Sequence, residues 1–133
     1  MREIFADSYY FFAILNPRDP AHSGAIQYSE ERSVRLVTTA WVLTELADGL
    51  ARSARRSAFQ AIVDGLLLEP QSVIIPPSQA LFDAGIALYN SRPDKTWSLT
   101  DCISFIAMKE RLVTEALTGD RHFEQAGFRA LLA

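Results

Sequence analysis

Short apolar segments alternate with longer helical patterns along the chain, and this alternation restricts the possible folds more than any other feature. We predict five short strands and seven helices. The strands are expected at residues 3–7, 35–39, 72–75, 115–118 and 128–131, and the helices at 8–15, 21–31, 41–52, 55–68, 76–91, 100–112 and 121–125. Strands that alternate with helices indicate an α/β protein with a parallel sheet and helices on both of its faces.

Two of these elements have patterns that predict burial. The segment Ser72-Val-Ile-Ile is apolar throughout its core, which is typical of a strand covered on both faces. In the helix at 55–68, apolar residues recur at helical spacing, and this predicts one buried face. That face comprises Phe59, Ile62, Val63, Leu66 and Leu67.

Length and composition limit the class of protein. The 133 residues are enough for one domain, 1–133, with a single core, and 49% of them are hydrophobic. The longest apolar run, Tyr9 to Leu15, is too short to cross a membrane. No secretory signal is recognisable, and the lone Cys102 excludes an internal disulfide framework. We therefore expect a cytoplasmic protein without a membrane partner.

Charge argues against a protein that coats nucleic acid through bulk positive potential, because the net charge is −3. It leaves room for local contacts. Arg52, Arg55 and Arg56 cluster in one stretch, and the planar guanidinium group suits phosphate. A solvated helix face explains the same three residues, and the cluster alone favours that simpler interpretation.

Four acidic residues stand where the predicted elements change type: Asp7, Glu45, Asp101 and Asp120. In a parallel sheet, the carboxyl ends of strands and the starts of the following helices share the edge where ligands bind. Carboxylates gathered there repel one another unless a cation lies between them. Oxygen ligands suit Mg²⁺ or Mn²⁺, whereas the scarcity of histidine and cysteine argues against zinc.

Each acid also has a simpler explanation. Asp101 completes a capping-box pattern with Ser98, and Asp120 could cap the short helix that follows it. Glu45 could lie on a helix surface, where the helix dipole favours it. Asp7 is the hardest to explain in this way, because the apolar residues around it should leave its carboxylate poorly solvated.

The order of the motifs adds a resemblance that spans essentially the whole chain. They are Phe5-Ala-Asp-Ser, Thr44-Glu-Leu, Ser98-Leu-Thr-Asp-Cys-Ile-Ser-Phe and Leu117-Thr-Gly-Asp-Arg-His-Phe. Together they resemble PIN-domain proteins, and among these the VapC-type toxin ribonucleases of type II toxin–antitoxin systems. The stretch from Arg52 to Pro93 carries no motif of that family.

This resemblance implies a three-layer α/β/α sandwich and metal-dependent cleavage of RNA phosphodiester bonds. It places the four acids at the family's metal site, with Ser8 and Thr118 as supporting polar residues. It also implies a homodimer held by a small antitoxin. We expect one or two Mg²⁺ or Mn²⁺ ions to activate a water, with Glu45 ligating an ion or orienting that water. RNA would be held by Arg52, Arg55, Arg56 and Arg121.

Several alternatives remain open at this point. The chain could be a stand-alone PIN ribonuclease in RNA processing, or a non-catalytic module that keeps the fold. A phosphoacceptor receiver domain also gathers acids at a strand edge, but it needs a lysine near the site, and neither Lys95 nor Lys109 fits. The pattern leaves the roles of Asp48, His22 and His122 undecided.

Overall fold

The computed structural model describes residues 1–133 and contains five strands and seven helices in the predicted order. The strands are β1 (Arg2–Ala6), β2 (Val34–Thr39), β3 (Val73–Ile75), β4 (Glu115–Leu117) and β5 (Arg129–Ala130). The helices are α1 (Ser8–Leu15), α2 (His22–Glu30), α3 (Ala40–Leu50), α4 (Ala58–Leu68), α5 (Gln79–Ser91), α6 (Leu99–Arg111) and α7 (Arg121–Gln125). No helix is both long and apolar enough to cross a membrane.

All five strands form one parallel sheet in the order β3-β2-β1-β4-β5. Phe5 of β1 is in register with Val37 of β2 on one side and with Ala116 of β4 on the other. The chain therefore reverses its direction of travel across the sheet at β1. In open parallel sheets, the crevice beyond the strand ends at such a reversal is where ligands bind.

Aromatic packing fixes α6 and α7 against the middle of the sheet. The ring of Phe105 in α6 packs edge-on against Phe123 of α7 and against Trp97, each with a centroid distance of 5.0 Å. Phe123 also contacts Phe5 of β1. These rings are buried, so the amino-terminal ends of α6 and α7 are held beside the end of β1. The predicted α/β/α sandwich is confirmed.

The predicted burial of the third strand is wrong. β3 lies at one edge of the sheet and pairs only with β2, and each of its residues is half-buried. An apolar sequence indicates that a strand packs against other parts of the protein. It does not reveal whether the strand has a neighbouring strand on both sides or only on one.

The one buried face predicted for the fourth helix is buried only in part. No residue of α4 is buried, and Leu67 and Leu68 are 69% and 83% exposed. Phe59, Ile62 and Leu66 pack against the core only in part. The helix begins at Ala58, later than predicted, because residues 51–57 form turns in which the Arg56 side chain donates to the Ala51 carbonyl.

Candidate active site

Asp7 follows β1 directly and is the N-cap residue of α1, yet its carboxylate makes no capping hydrogen bond to the helix. Instead, its Oδ2 accepts a hydrogen bond of 2.9 Å from the buried hydroxyl of Thr118, which follows β4. The pairing of β1 with β4 brings these two residues together. Only 5% of Asp7 is exposed, so the carboxylate is largely removed from water.

Asp120 is tied to the same threonine. Its backbone N–H donates to Thr118 Oγ1 over 3.0 Å, so one hydroxyl contacts both Asp7 and Asp120. Asp120 also caps α7, since its Oδ1 accepts the backbone N–H of His122 at 2.9 Å. The capping explanation for Asp120 is therefore correct, and it leaves the other carboxylate oxygen facing the site.

Asp101 lies in the first turn of α6 and completes the predicted capping box. Its N–H donates to Ser98 Oγ at 3.0 Å, and its Oδ2 accepts the Ser98 N–H at 3.1 Å. The same oxygen lies 3.0 Å from Nδ1 of His122, which is also 3.4 Å from Oδ2 of Asp120. His122 thus lies between two of the predicted acids.

Glu45 reaches the site from the middle of α3. Thr39 caps this helix and begins it at the end of β2, six residues before the acid. The Glu45 side chain is half-buried, and its Oε1 accepts a hydrogen bond from the hydroxyl of Ser8. Glu45 is therefore not simply a solvated surface residue.

The four predicted acids line a single cavity of about 380 Å³, which we call the acidic pocket. Its lining residues are Asp7, Ser8, Tyr9, Phe12, Glu45, Thr96, Ser98, Asp101, Asp120 and His122. Thr118 does not line the cavity but lies behind it, hydrogen-bonded to Asp7. The structure thus brings together all four acids from distant parts of the sequence, together with both supporting residues.

Burial and mutual repulsion make this pocket a costly place for negative charge. The pKa of Asp7 is raised to about 7, chiefly by desolvation and also by the nearby charges of Asp101 and Glu45, against the hydrogen bond from Thr118. The pKa of Asp101 is also raised, chiefly by desolvation and less by Asp120, while its contact with His122 lowers it. None of the four acids has an arginine or lysine within ion-pair distance.

The donor set fits a hard divalent cation. Ligand atoms of Asp101, Asp120 and His122 all lie within 4.8 Å of one another, and the carboxylates of Asp7 and Glu45 line the same cavity. Nδ1 of His122 faces the Asp101 carboxylate and its Nε2 faces the Thr96 hydroxyl, so most of the possible ligand atoms of the pocket are carboxylate oxygens. Carboxylate oxygens suit Mg²⁺ and Mn²⁺. A cation there would also offset the repulsion that raises the pKa of Asp7.

The predicted RNA-binding arginines lie outside this pocket. Arg52, Arg55, Arg56 and Arg121 are all exposed and none of them lines the cavity, although Arg121 is adjacent in sequence to Asp120. Their contact with RNA remains a prediction.

The remaining undecided residues have structural positions of their own. Asp48 is exposed and does not line the acidic pocket. His22 is the first residue of α2, and its Nδ1 lies 2.6 Å from the Ala13 carbonyl oxygen, so it connects α2 to α1. Cys102 is completely buried, and burial raises the pKa of its thiol. It is a core residue, not a nucleophile.

Sequence reasoning missed the central position of His122 and the presence of Thr96. The hydroxyl of Thr96 lies 3.2 Å from Nε2 of His122, so the imidazole is held from both sides. The spacing of His122 two residues after a capping aspartate is a usable signal, because it places the histidine in the first turn of α7. Thr96 lies in a loop and has no comparable sequence signal.

Comparison with known proteins gives a structural likeness but no sequence match. No family model matches the sequence, and no curated protein is similar enough to count as a relative. Among solved structures, VapC20 of Mycobacterium tuberculosis, described as a sarcin-ricin loop cleaving toxin, is similar with a TM-score of 0.83 and 22% identity, over 94% of this chain and 95% of that chain. FitAcB from Neisseria gonorrhoeae is similar with a TM-score of 0.64 and 18% identity, over 96% of this chain and 95% of that chain. The chain therefore has the α/β/α fold of VapC20 and FitAcB, as its resemblance to PIN-domain proteins predicts.

Proposed function

We propose that this chain is a metal-dependent endoribonuclease and the toxin of a toxin–antitoxin pair. The observation that carries the proposal is the acidic pocket, in which four carboxylates from the starts of α1, α6 and α7 and from the middle of α3 meet without any arginine or lysine partner. The similarity of the fold to that of VapC20, a sarcin-ricin loop cleaving toxin, supports a toxin that cleaves RNA. The cofactor is Mg²⁺ or Mn²⁺.

Each residue of the pocket has a distinct part in this proposal. Asp7, Asp101 and Asp120 would hold the cation, which would supply positive charge that polarises the phosphate and makes water more acidic. Glu45 keeps Oε2 free while Ser8 occupies its Oε1, so Oε2 is placed to accept a proton from the attacking water. Hydrolysis adds the oxygen of that water to phosphorus and breaks one P–O bond of the RNA backbone.

Thr118 and His122 position the acids and do not take part in the chemistry. Thr118 donates to Asp7 and accepts from the backbone of Asp120, which fixes the separation of these two acids. His122 lies between the Asp101 and Asp120 carboxylates. Such outer contacts orient the groups that hold a metal.

The direct test is cleavage of an RNA oligonucleotide with the sequence of the sarcin-ricin loop, alongside an unstructured RNA. We expect wild-type protein with millimolar Mg²⁺ or Mn²⁺ to cleave RNA, and EDTA to stop the reaction. Asp7→Asn should reduce the rate at least about a hundredfold, since it removes a charge that holds the ion. Asp48→Asn is the matched control, because Asp48 is an acid of α3 outside the pocket, and it should cleave normally. Normal cleavage by Asp7→Asn would contradict the proposal.

The antitoxin and the homodimer are further parts of the proposal. An apolar cleft of about 340 Å³ lies between α1, α2 and α4, and it is lined by Phe11, Ile14, Ile26, Ile62 and Leu66 among others. This cleft, together with the exposed Leu67 and Leu68 that follow Leu66 in α4, supports a protein partner that covers α4.

Co-purification from the native cell tests the partner, and light scattering of the isolated chain tests the homodimer. A small protein should accompany the wild-type chain, and Leu66→Asp should release it. Recovery of the chain alone, as a monomer, would contradict both parts.

A further inference from the structure

A second cavity opens beside the acidic pocket, in the connection between α5 and α6. It has a volume of about 380 Å³, and its walls include Tyr89, Arg92, Lys95, Thr96 and Trp97. We call it the α5–α6 cleft. Thr96 lines both this cleft and the acidic pocket, and its hydroxyl lies 3.2 Å from Nε2 of His122. The two cavities are therefore neighbours that share one wall.

Trp97 forms a rigid wall of this cleft. It is only 6% exposed, its Nε1 donates to Gln125 Oε1 at 3.0 Å, and its ring packs edge-on against Phe105. Two cations lie over the ring: the guanidinium carbon of Arg92 at 5.2 Å from the centroid and Nζ of Lys95 at 5.9 Å. Attraction between cation and ring holds both groups at the cleft.

These cations are available to an anionic ligand. Lys95 has no carboxylate within ion-pair distance. Arg92 forms two hydrogen bonds of 2.9 Å with Asp94, but both side chains are exposed, and exposed pairs of this kind contribute little stability. A phosphate group can therefore replace Asp94 as the partner of Arg92 at low cost.

An enzyme with an acidic pocket needs cations next to it to bind a polyanion. The chain has a net charge of −3, and the acidic pocket itself repels phosphate. One of only two lysines in the chain stands at the α5–α6 cleft. By contrast, Arg52, Arg55 and Arg56 line neither this cleft nor the acidic pocket.

We propose that the α5–α6 cleft is a phosphate-binding subsite for single-stranded RNA, in which Arg92 and Lys95 bind the backbone next to the scissile bond. The half-exposed ring of Tyr89 lies at the same cleft and offers a surface on which the adjoining base stacks. This inference rests on the proposed ribonuclease function, because that function makes RNA the ligand of the neighbouring pocket.

The test compares two double variants that remove the same charges. Arg92→Gln with Lys95→Gln removes both cations of the cleft. Arg32→Gln with Lys109→Gln is the matched control, because Arg32 precedes β2 and Lys109 lies in the last turn of α6, away from the strand ends that carry the acids. Both control side chains are exposed and neither forms an ion pair.

Binding of a short fluorescein-labelled single-stranded RNA is measured in EDTA by anisotropy, at several salt concentrations. The cleft variant should bind about tenfold more weakly than wild type. The slope of log Kd against log salt should also fall by about one, since fewer phosphate contacts release fewer counterions. The control variant should match the wild type in both. With Mn²⁺ present, the cleft variant should show a raised KM for cleavage, with its kcat much less affected.

Fluorescence of Trp97 gives an independent readout. Trp41 is the only other tryptophan, so Trp41→Phe leaves Trp97 as the sole emitter. RNA should change the emission of Trp97 in the Trp41→Phe protein that keeps Arg92 and Lys95. It should leave the emission unchanged when Arg92→Gln and Lys95→Gln are added.

The outcomes separate this subsite from the nuclease function. If both double variants bind and cleave RNA like the wild type, the subsite is refuted while the ribonuclease stands. If the cleft variant alone loses affinity but no protein cleaves RNA with Mn²⁺, the subsite stands and the proposed function fails. An equal loss of RNA affinity in both double variants would show that only net charge matters, and it would refute the subsite. Absence of RNA binding by the wild type would refute both the subsite and the ribonuclease function.

Discussion

At the scale of single residues, Asp7 is the acid of the pocket whose pKa is raised to about 7. A buried carboxylate normally has a cationic partner or several donors, and Asp7 has one hydroxyl and two neighbouring anions. Its pKa of about 7 means that the protein without a cation holds a proton there over much of the acidic range. A divalent ion would replace that proton, so metal and proton compete for the same oxygens.

Asp7→Asn should change how stability depends on pH. The usual pKa of the carboxyl is 3.8 and the folded value is about 7, so between these values the folded protein binds more protons than the unfolded chain. Stability therefore falls as the pH rises through this window, by an amount on the order of 4 kcal/mol for Asp7 alone. Urea unfolding in EDTA should show this loss between pH 4 and pH 8 for wild type, and a much smaller loss for Asp7→Asn.

The difference in unfolding free energy between wild type and Asp7→Asn, followed over pH, reports the titration of Asp7 separately from that of the other groups. At pH 8 and without metal, Asp7→Asn should be the more stable protein. Parallel curves for the two proteins would show that the carboxylate is better solvated than the structure indicates.

Thr118→Val tests the hydroxyl that joins two acids. Valine keeps the shape of the side chain but removes the donor to Asp7 and the acceptor for the Asp120 N–H. Because Thr118 is fully buried, we expect a loss of about 1–3 kcal/mol of unfolding free energy at pH 8. Thr44→Val serves as the control, since Thr44 is exposed and bonds only to its own helix at Ala40. Equal effects of the two substitutions in urea unfolding would argue against a special role for Thr118.

At the scale of helices and strands, the sequence signals at the starts of helices made the position of the acidic pocket predictable. Asp7 and Asp120 are the N-cap residues of α1 and α7, and Asp101 lies in the first turn of α6. Such positions are recognisable in a sequence because capping residues and apolar periods mark them. The parallel sheet then places these positions at one edge. Acids that are distant in the sequence are therefore predicted to line a common pocket.

Burial was less predictable than boundaries. The spacing of apolar residues in α4 predicts a helix with one apolar face. Burial of that face requires other elements to cover it, and here the core covers it only in part. The position of His122 in the pocket was not predicted for a related reason. It depends on contacts with Asp101 and Thr96, which are distant in the sequence. Local patterns do not encode such contacts.

Gly85→Ala tests the packing that holds α6 in place. A Cβ on Gly85 would lie 3.3 Å from Cα of Ile103 and still closer to its Cγ1. Ile103 is buried and lies two residues after Asp101, so the strain would also shift the acid. We expect a loss of about 1–3 kcal/mol in urea unfolding and weaker metal binding.

Gly65→Ala is the matched control for Gly85→Ala. It makes the same change in α4, where an added Cβ meets no atom within 4 Å. It should stabilise the protein by about 0.5–1 kcal/mol, because alanine restricts the unfolded chain and favours the helix. A loss of stability in both variants would contradict this account of α5–α6 packing.

At the scale of the whole molecule, charge is arranged differently at the two edges of the sheet. At the edge where the strands begin, Glu3 lies 2.8 Å from Arg111 and 3.1 Å from Arg35, and these partners lower its pKa. Glu115 is paired with Arg2 in the same way. At the opposite edge, the four acids of the pocket lack any arginine or lysine. The fold therefore pairs carboxylates with arginines at one edge and leaves the acids at the other edge without arginine or lysine partners.

Thermal unfolding with and without metal tests this claim most directly. The account predicts that Mg²⁺ or Mn²⁺ raises the Tm of wild type by roughly 5–10 °C at about a hundred times its Kd, because the ion binds only the folded protein. Asp48→Asn should keep this shift, and Asp101→Asn should lose most of it. A wild-type Tm that does not respond to millimolar metal, or an Asp101→Asn shift as large as that of Asp48→Asn, would contradict the assignment of the acidic pocket as a metal site.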